Sequence, residues 1–181
     1  MLSRLHAAAF AFVDRIFDAW LLGTLGRAIF AGVLLVYFLD SARTKLGDGL
    51  TGLFALSDGA FVQILPQAFE AAGYDKAALT TLQVVIVHLG TYAEILLPIM
   101  IVVGLFTRLA ALGMIGFVAV MTYVDITGHG VDSTTIGTWF DNSPSAAIAD
   151  QRPLWIFLLL TLVLKGPGPL SLDRLFRRRH S

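Results

Sequence analysis

The chain has 181 residues, 13 Lys+Arg against 13 Asp+Glu, 56% hydrophobic and 14% charged residues, and no cysteine. Soluble domains carry roughly 45–50% apolar and about 25% charged residues, so this composition, with a mean hydropathy of +0.76, points to a membrane protein. The missing cysteine excludes disulfide scaffolds, thiolate metal sites, cysteine-ligated clusters and thiol redox catalysis in this chain, and the balanced charge offers no field to draw nucleic acid.

Residues 1–18, with Arg4, His6, Asp14, Arg15 and Asp18 around AAAFAFV, read as an amphipathic helix lying on the membrane surface. No small-residue cleavage site precedes Asp14 and Asp18, so a cleaved signal peptide is not expected. A helix crosses a bilayer core about 30 Å thick with roughly 20 apolar residues. Three stretches reach that length: 19–39, interrupted only by Arg27; 79–103, carrying His88 and Glu94; and 105–126, with Arg108 near its start and Asp125 at its end. A fourth run, 153–164, is short, and spans once it is extended to 149–165 with Lys165 reaching the headgroups.

Between the second and third stretches stands little more than Gly104, which makes them a tight antiparallel hairpin. The connection 40–78 is far longer. Its middle, from Phe61 to Phe69, is apolar but too short to cross, and reads as an interfacial or re-entrant helix. Residues 127–148, with Gly128, Gly130, Gly137 and Pro144, read as an ordered extramembrane loop. In the tail 166–181, Gly-Pro-Gly-Pro stops the fourth helix and Ser171 caps a short basic one, suited to anionic headgroups. The expected fold class is all-α: one polytopic domain built as a four-transmembrane-helix bundle.

Orientation follows the cations of the short loops. Arg4, Arg15, Arg108, Lys165, Arg174, Arg177, Arg178 and Arg179 fall on one side, and Arg43, Lys45, Lys76 and Arg152 on the other. Both termini are therefore expected in the cytoplasm.

Charges inside a bilayer are costly and face a partner or a cavity. Arg27 lies about 12 Å, and Glu94 roughly 14 Å, from the cytoplasmic ends of their helices at about 1.5 Å per residue. The matched depths suggest either a buried ion pair that fixes register or a ligand-binding or proton-handling role. His88, Thr91, Tyr92 and Glu94 share an arc of about 160° on the second stretch. Thr122, Asp125 and His129 share a face of the third, while Lys45 lies on the stripe of Arg27, Leu34, Phe38 and Ser41. The outer helix ends thus bring His88, Asp125, His129, Asp132 and Lys45 toward one another. The candidate catalytic residues are His88, Glu94 and Asp125. A quinone-like amphiphile would use His88, Tyr92, Glu94, Arg27 and Lys45 around an apolar cleft. A metal held by His88, Asp125, His129 and Asp132 is a weaker alternative that matches no metal motif. The remaining reading is that these groups only satisfy backbone and neighbours. Trp20, Trp139 and Trp155 read as interfacial belt residues.

Arg27, Gly32 and Lys45, then Glu94 ahead of Gly104-Leu-Phe-Thr-Arg108-Leu-Ala, then Lys165-Gly-Pro-Gly-Pro-Leu-Ser-Leu-Asp173, resemble in their order and separation the DoxX family over about residues 26–176. The resemblance implies a small four-helix protein of the bacterial inner membrane, related to the membrane subunits of thiosulfate:quinone oxidoreductase. It implies fold and location more strongly than reaction. Arg27, Lys45, Glu94, Arg108 and Asp173 match recurring family positions, and the loop with His129-Gly-Val-Asp132 and Trp139-Phe-Asp141 extends beyond the family core. Three functions follow as expectations. The first is a quinone-interacting or accessory subunit of a membrane redox complex, with the 127–152 loop docking other subunits. The second is a non-catalytic scaffold or assembly partner. The third, a small transporter, ranks last because four helices are few unless the protein forms a homo-oligomer.

Overall fold

A computed structural model describes residues 6–7, 10–11 and 19–178. The expected surface helix 1–18 lies almost entirely outside the described residues, as do Arg4, Arg15 and Arg179. Every regular element among the described residues is helical. Four helices are long and apolar enough to cross a membrane: Leu21–Arg43, Thr81–Val103, Thr107–Gly128 and Ala147–Lys165. Each overlaps a stretch read from the sequence. The first continues four residues past the expected end at residue 39, because Asp40 and Arg43 look like loop yet sit one helical turn apart as an exposed ion pair.

Each span touches the next, and the fourth closes onto the first. Phe30, Leu34 and Phe38 of the first span meet Ile101, Met114, Val118, Leu159 and Leu162 in the core. A spacing of four advances about 40° per step on an α-helix, and a wider π turn at Ala31–Leu35 absorbs part of that drift. Similar π turns end the third span at Val124–Gly128 and begin the fourth at Ala147–Gln151.

One end of the bundle carries the Gly104 hairpin and the segment after Lys165; we call it the terminal side, and the opposite end the loop side. The apolar stretch 61–69 does not make a fifth span. The chain breaks at Leu65 ahead of Pro66 into short helices, Asp58–Ile64 and Pro66–Ala71. Phe61 and Phe69 pack with Val87 of the second span in a separate cluster at the loop side.

Polar bonds lock the terminal side. Arg27 is buried, and its guanidinium donates to Ile101 O (2.9 Å) and Val102 O (2.5 Å) at the end of the second span, and to Pro167 O (3.0 Å) and Leu170 O (2.5 Å) after the fourth. A helix end leaves carbonyls without intrahelical partners, and one guanidinium offers several donors in a fixed plane to satisfy them. Asp173 caps the third span: Oδ1 accepts from Phe106 N–H (2.6 Å) and Oδ2 from Thr107 N–H and hydroxyl (both 2.9 Å). Gly104 turns the hairpin at φ +73°, and a Cβ there would stand 2.5 Å from Ser171 Cβ. A Cβ on Gly23 would stand 2.4 Å from Gly166 O, so the first span and the Gly-Pro-Gly-Pro segment touch backbone to backbone.

The Asp173 cap yields a prediction. Asp173→Ala should lower the unfolding free energy by about 0.5–2 kcal/mol, the usual worth of an N-cap, read as a reduced thermal midpoint in nanodiscs. An unchanged midpoint would show that water replaces the carboxylate without loss.

Candidate functional site

The loop-side half of the bundle gathers the remaining buried charge. The helix of the first span ends at Arg43, and Lys45 follows in a turn that still bonds back to Ala42 O. Its side chain runs down into the bundle instead of out to water. Nζ donates to Ser41 Oγ (2.9 Å) and Ser41 O (3.3 Å), and lies 2.7 Å from Glu94 Oε2. The residues are 5% and 2% exposed, so this pair is dry. Nearby, Arg152 at the start of the fourth span pairs with Asp125 and donates to Thr122 Oγ1 (2.7 Å), both on the third.

The pairing of Arg27 with Glu94 inferred from depth does not form. A helical Cα–Cβ bond leans toward the helix N-terminus. On the first span that lean carries Arg27 toward the terminal side and Lys45 toward the bilayer centre. On the antiparallel second span it carries Glu94 toward the loop side, and so to Lys45.

His88 and Tyr92 serve a neighbouring segment. Tyr92 Oη donates to Leu53 O (2.7 Å), and the His88 ring nitrogens face Phe54 O (3.3 Å) and Val84 O (2.8 Å). Together they clamp the short helix Leu50–Leu53 against the second span. His129 Nε2 lies 3.2 Å from Gln63 O, and Gln67 donates to Thr127 O (2.8 Å), tying the short helices to the end of the third span. Asp132 caps the helix Ser133–Ile136. The hydroxyl of Thr134 and then the Thr135 amide hold its carboxylate below the usual range. The four residues considered for a metal thus have separate partners, and among the described residues no three His, Asp or Glu side chains gather to hold one.

A cavity of about 560 Å³ lies between the second and third spans, with the first span as its inner wall. Such a volume is within the range of small-molecule sites, roughly 300–1,000 Å³. Lys45, Glu94, Asp125 and His129 line it; Arg27, His88, Tyr92 and Asp132 do not. Its space comes from missing side chains: Gly90 on the second span faces Gly113 and Gly116 on the third. A Cβ added at Gly116 would meet no atom within 4 Å, so that glycine borders open room. Toward the terminal side a Cβ on Gly113 would come within 3.2 Å of Leu97, and on the second span one on Gly90 would come within 3.1 Å of Ile64, so both glycines are closely packed.

Sequence reasoning missed the glycines and Arg152. The i, i+3 placement of Gly113 and Gly116 was the available signal, since small residues in spanning helices mark close packing or space. Arg152 was counted only as a loop charge.

A bundle of four spanning helices with an apolar cleft and a dry ion pair defines a multi-pass membrane protein with a small-molecule-sized site. The sequence model of the DoxX family matches residues 22–129, more than half of the chain. The chain belongs to the DoxX family. The match covers the first three spans and the cleft; the Gly-Pro-Gly-Pro segment and Asp173 lie beyond it. Comparison with curated proteins and with solved structures found no match.

Two expectations follow. Lys45→Met or Glu94→Gln alone leaves one buried polar partner stranded and should destabilise by about 3–5 kcal/mol, while the double variant recovers most of the loss. Chemical unfolding of all four proteins in one detergent measures the cycle, and additive losses would refute the coupling. The Asp132 carboxylate, with its folded pKa depressed, supports its cap above the ordinary carboxylate range and loses it only as pH falls through the lowered value. The Thr134 and Thr135 amide shifts should therefore hold constant through ordinary carboxylate titration; a transition inside that range would contradict the cap.

Proposed function

We propose that this protein is a quinone-interacting or accessory subunit of a membrane redox complex, with the quinone head in the cleft beside Lys45 and Glu94. The observation that carries the reading is the cleft itself: about 560 Å³ between two spans, walled by apolar side chains and glycine, with one dry ion pair on its inner wall. A quinone bound there would supply a carrier of electrons and protons soluble in the bilayer. The residues present fit such a head. Lys45 Nζ offers a hydrogen-bond donor to a ring carbonyl, and the Glu94 carboxylate an acceptor for a ring hydroxyl. Ser41 gives the ammonium a second partner besides Glu94. With no cysteine, the chain has no thiolate for an iron–sulfur cluster, so electrons would pass to or from another subunit.

The loop between the third and fourth spans suits that docking role. Trp139 and Phe140 are exposed there, and Phe140 is held at φ +65° while Trp139 donates its indole N–H to Ala149 O (2.7 Å). The bacterial inner membrane with both termini cytoplasmic is the matching placement. Lys45 and Arg152 are buried in ion pairs, so among the described residues the surface cations of the loop side are Arg43 and Lys76, each beside an aspartate, against the basic terminal side.

The test is to quantify quinone by mass spectrometry in nanodisc-held protein against an unrelated membrane protein. Near-stoichiometric quinone per protein or per dimer is expected. Gly116→Leu, which fills the cleft and gains roughly 1 kcal/mol of helix propensity over glycine, should remove it while the protein remains folded. Background quinone in the unaltered protein would defeat the redox reading and favour a scaffold acting through its loop.

A further inference from the structure

The walls of the cleft bear on how a ligand would reach it and what form it would take; this deepens the functional reading above and rests on it. The first span forms the inner wall, Leu97 lies against Gly113 toward the terminal end, and Ile64, Gln63 and the exposed His129 line the loop end. A lateral opening lies between the second and third spans. Leu89 and Val120 line the cavity there and are at the same time 63% and 62% exposed. Both lie well within spanning helices, so their exposed faces meet acyl chains, not water. The polar end is charge-neutral, because Lys45 is matched by Glu94, and Asp125 by Arg152. A charged head would leave an uncompensated charge in a low-dielectric site, which is costly.

We propose that the ligand enters sideways from the bilayer between Leu89 and Val120, as an amphiphile with an uncharged, oxygen-bearing head and an apolar tail. The head rests against the Lys45–Glu94 pair. The tail stays in the mouth and continues into the lipid. The charge-neutral polar end therefore disfavours a charged phospholipid head, and the apolar mouth favours a tailed ligand over one without a tail.

The experiment compares decylubiquinone with the same ring lacking its tail, in nanodiscs of zwitterionic lipid. Affinity is expressed as mole fraction in the bilayer, so that partitioning cancels. A tryptophan at the mouth competes with the tail and not with the head. Val120→Trp and, separately, Leu89→Trp should weaken decylubiquinone about tenfold and leave the tail-less ring within about twofold, with unfolding midpoints unchanged. Equal loss for both ligands, or no loss for the tailed one in either variant, overturns the sideways path while the quinone reading stands. If neither quinone binds the unaltered protein, the reading of the cleft falls and this inference falls with it. Retention of a phospholipid in the cleft in place of either quinone overturns the claim of an uncharged head.

Discussion

A cation placed in hydrocarbon must be answered from within the protein, and two buried cations, Arg27 on the first span and Lys45 in the turn that follows it, organise the rest of the molecule. Arg27 is answered by four carbonyls, drawn from the end of the second span and from the segment after the fourth. Lys45 is answered by a carboxylate and a serine. The first solution uses backbone groups that would otherwise lack partners at a helix end, and it closes the bundle. The second uses a side chain that itself needs an answer, and it stands in the wall of a cavity. The first span and the turn after it thus supply a structural fastening at one end and a buried ion pair at the other.

The sequence made the fold legible because the spans are long apolar runs, and four such runs with one tight hairpin leave few arrangements. The break ahead of Pro66 divides a stretch, Phe61 to Phe69, that the sequence reads as one interfacial or re-entrant helix; proline's missing donor was the overlooked signal. The unusual charges were visible too: Arg27, Lys45, Glu94 and Asp125 each stand out against hydrocarbon. Their pairing was not visible. Depth along a helix locates Cα atoms, whereas contact depends on which way side chains lean, and antiparallel spans lean in opposite directions. The roles of His88 and Tyr92 were hidden for another reason. They share an arc with Glu94, but the part of that arc they occupy is covered by carbonyls of Leu53 and Phe54, in a connection without periodicity.

The cleft illustrates how a hairpin makes room. Its two helices are joined at Gly104, and at the loop side Ile64 of the helix Asp58–Ile64 packs against Gly90 of the second span. The π turn at Val124–Gly128 carries Asp125 at the cavity wall, and the one at Ala147–Gln151 immediately precedes Arg152. Both members of the second buried pair are thus offset from the positions that an uninterrupted α-helix would give them, which is a common circumstance for π turns at working sites.

The cap on the third span has a consequence for biogenesis. The amides of Phe106 and Thr107 wait for a carboxylate 66 residues further along the chain. During synthesis the first three spans can reach the bilayer, yet the hairpin between the second and third stays unsealed until Asp173 has left the ribosome. Arg27 waits likewise for the carbonyls of Pro167 and Leu170. A chain truncated before these residues lacks the partners of those amides and of Arg27, which makes completion of translation a condition for a closed bundle.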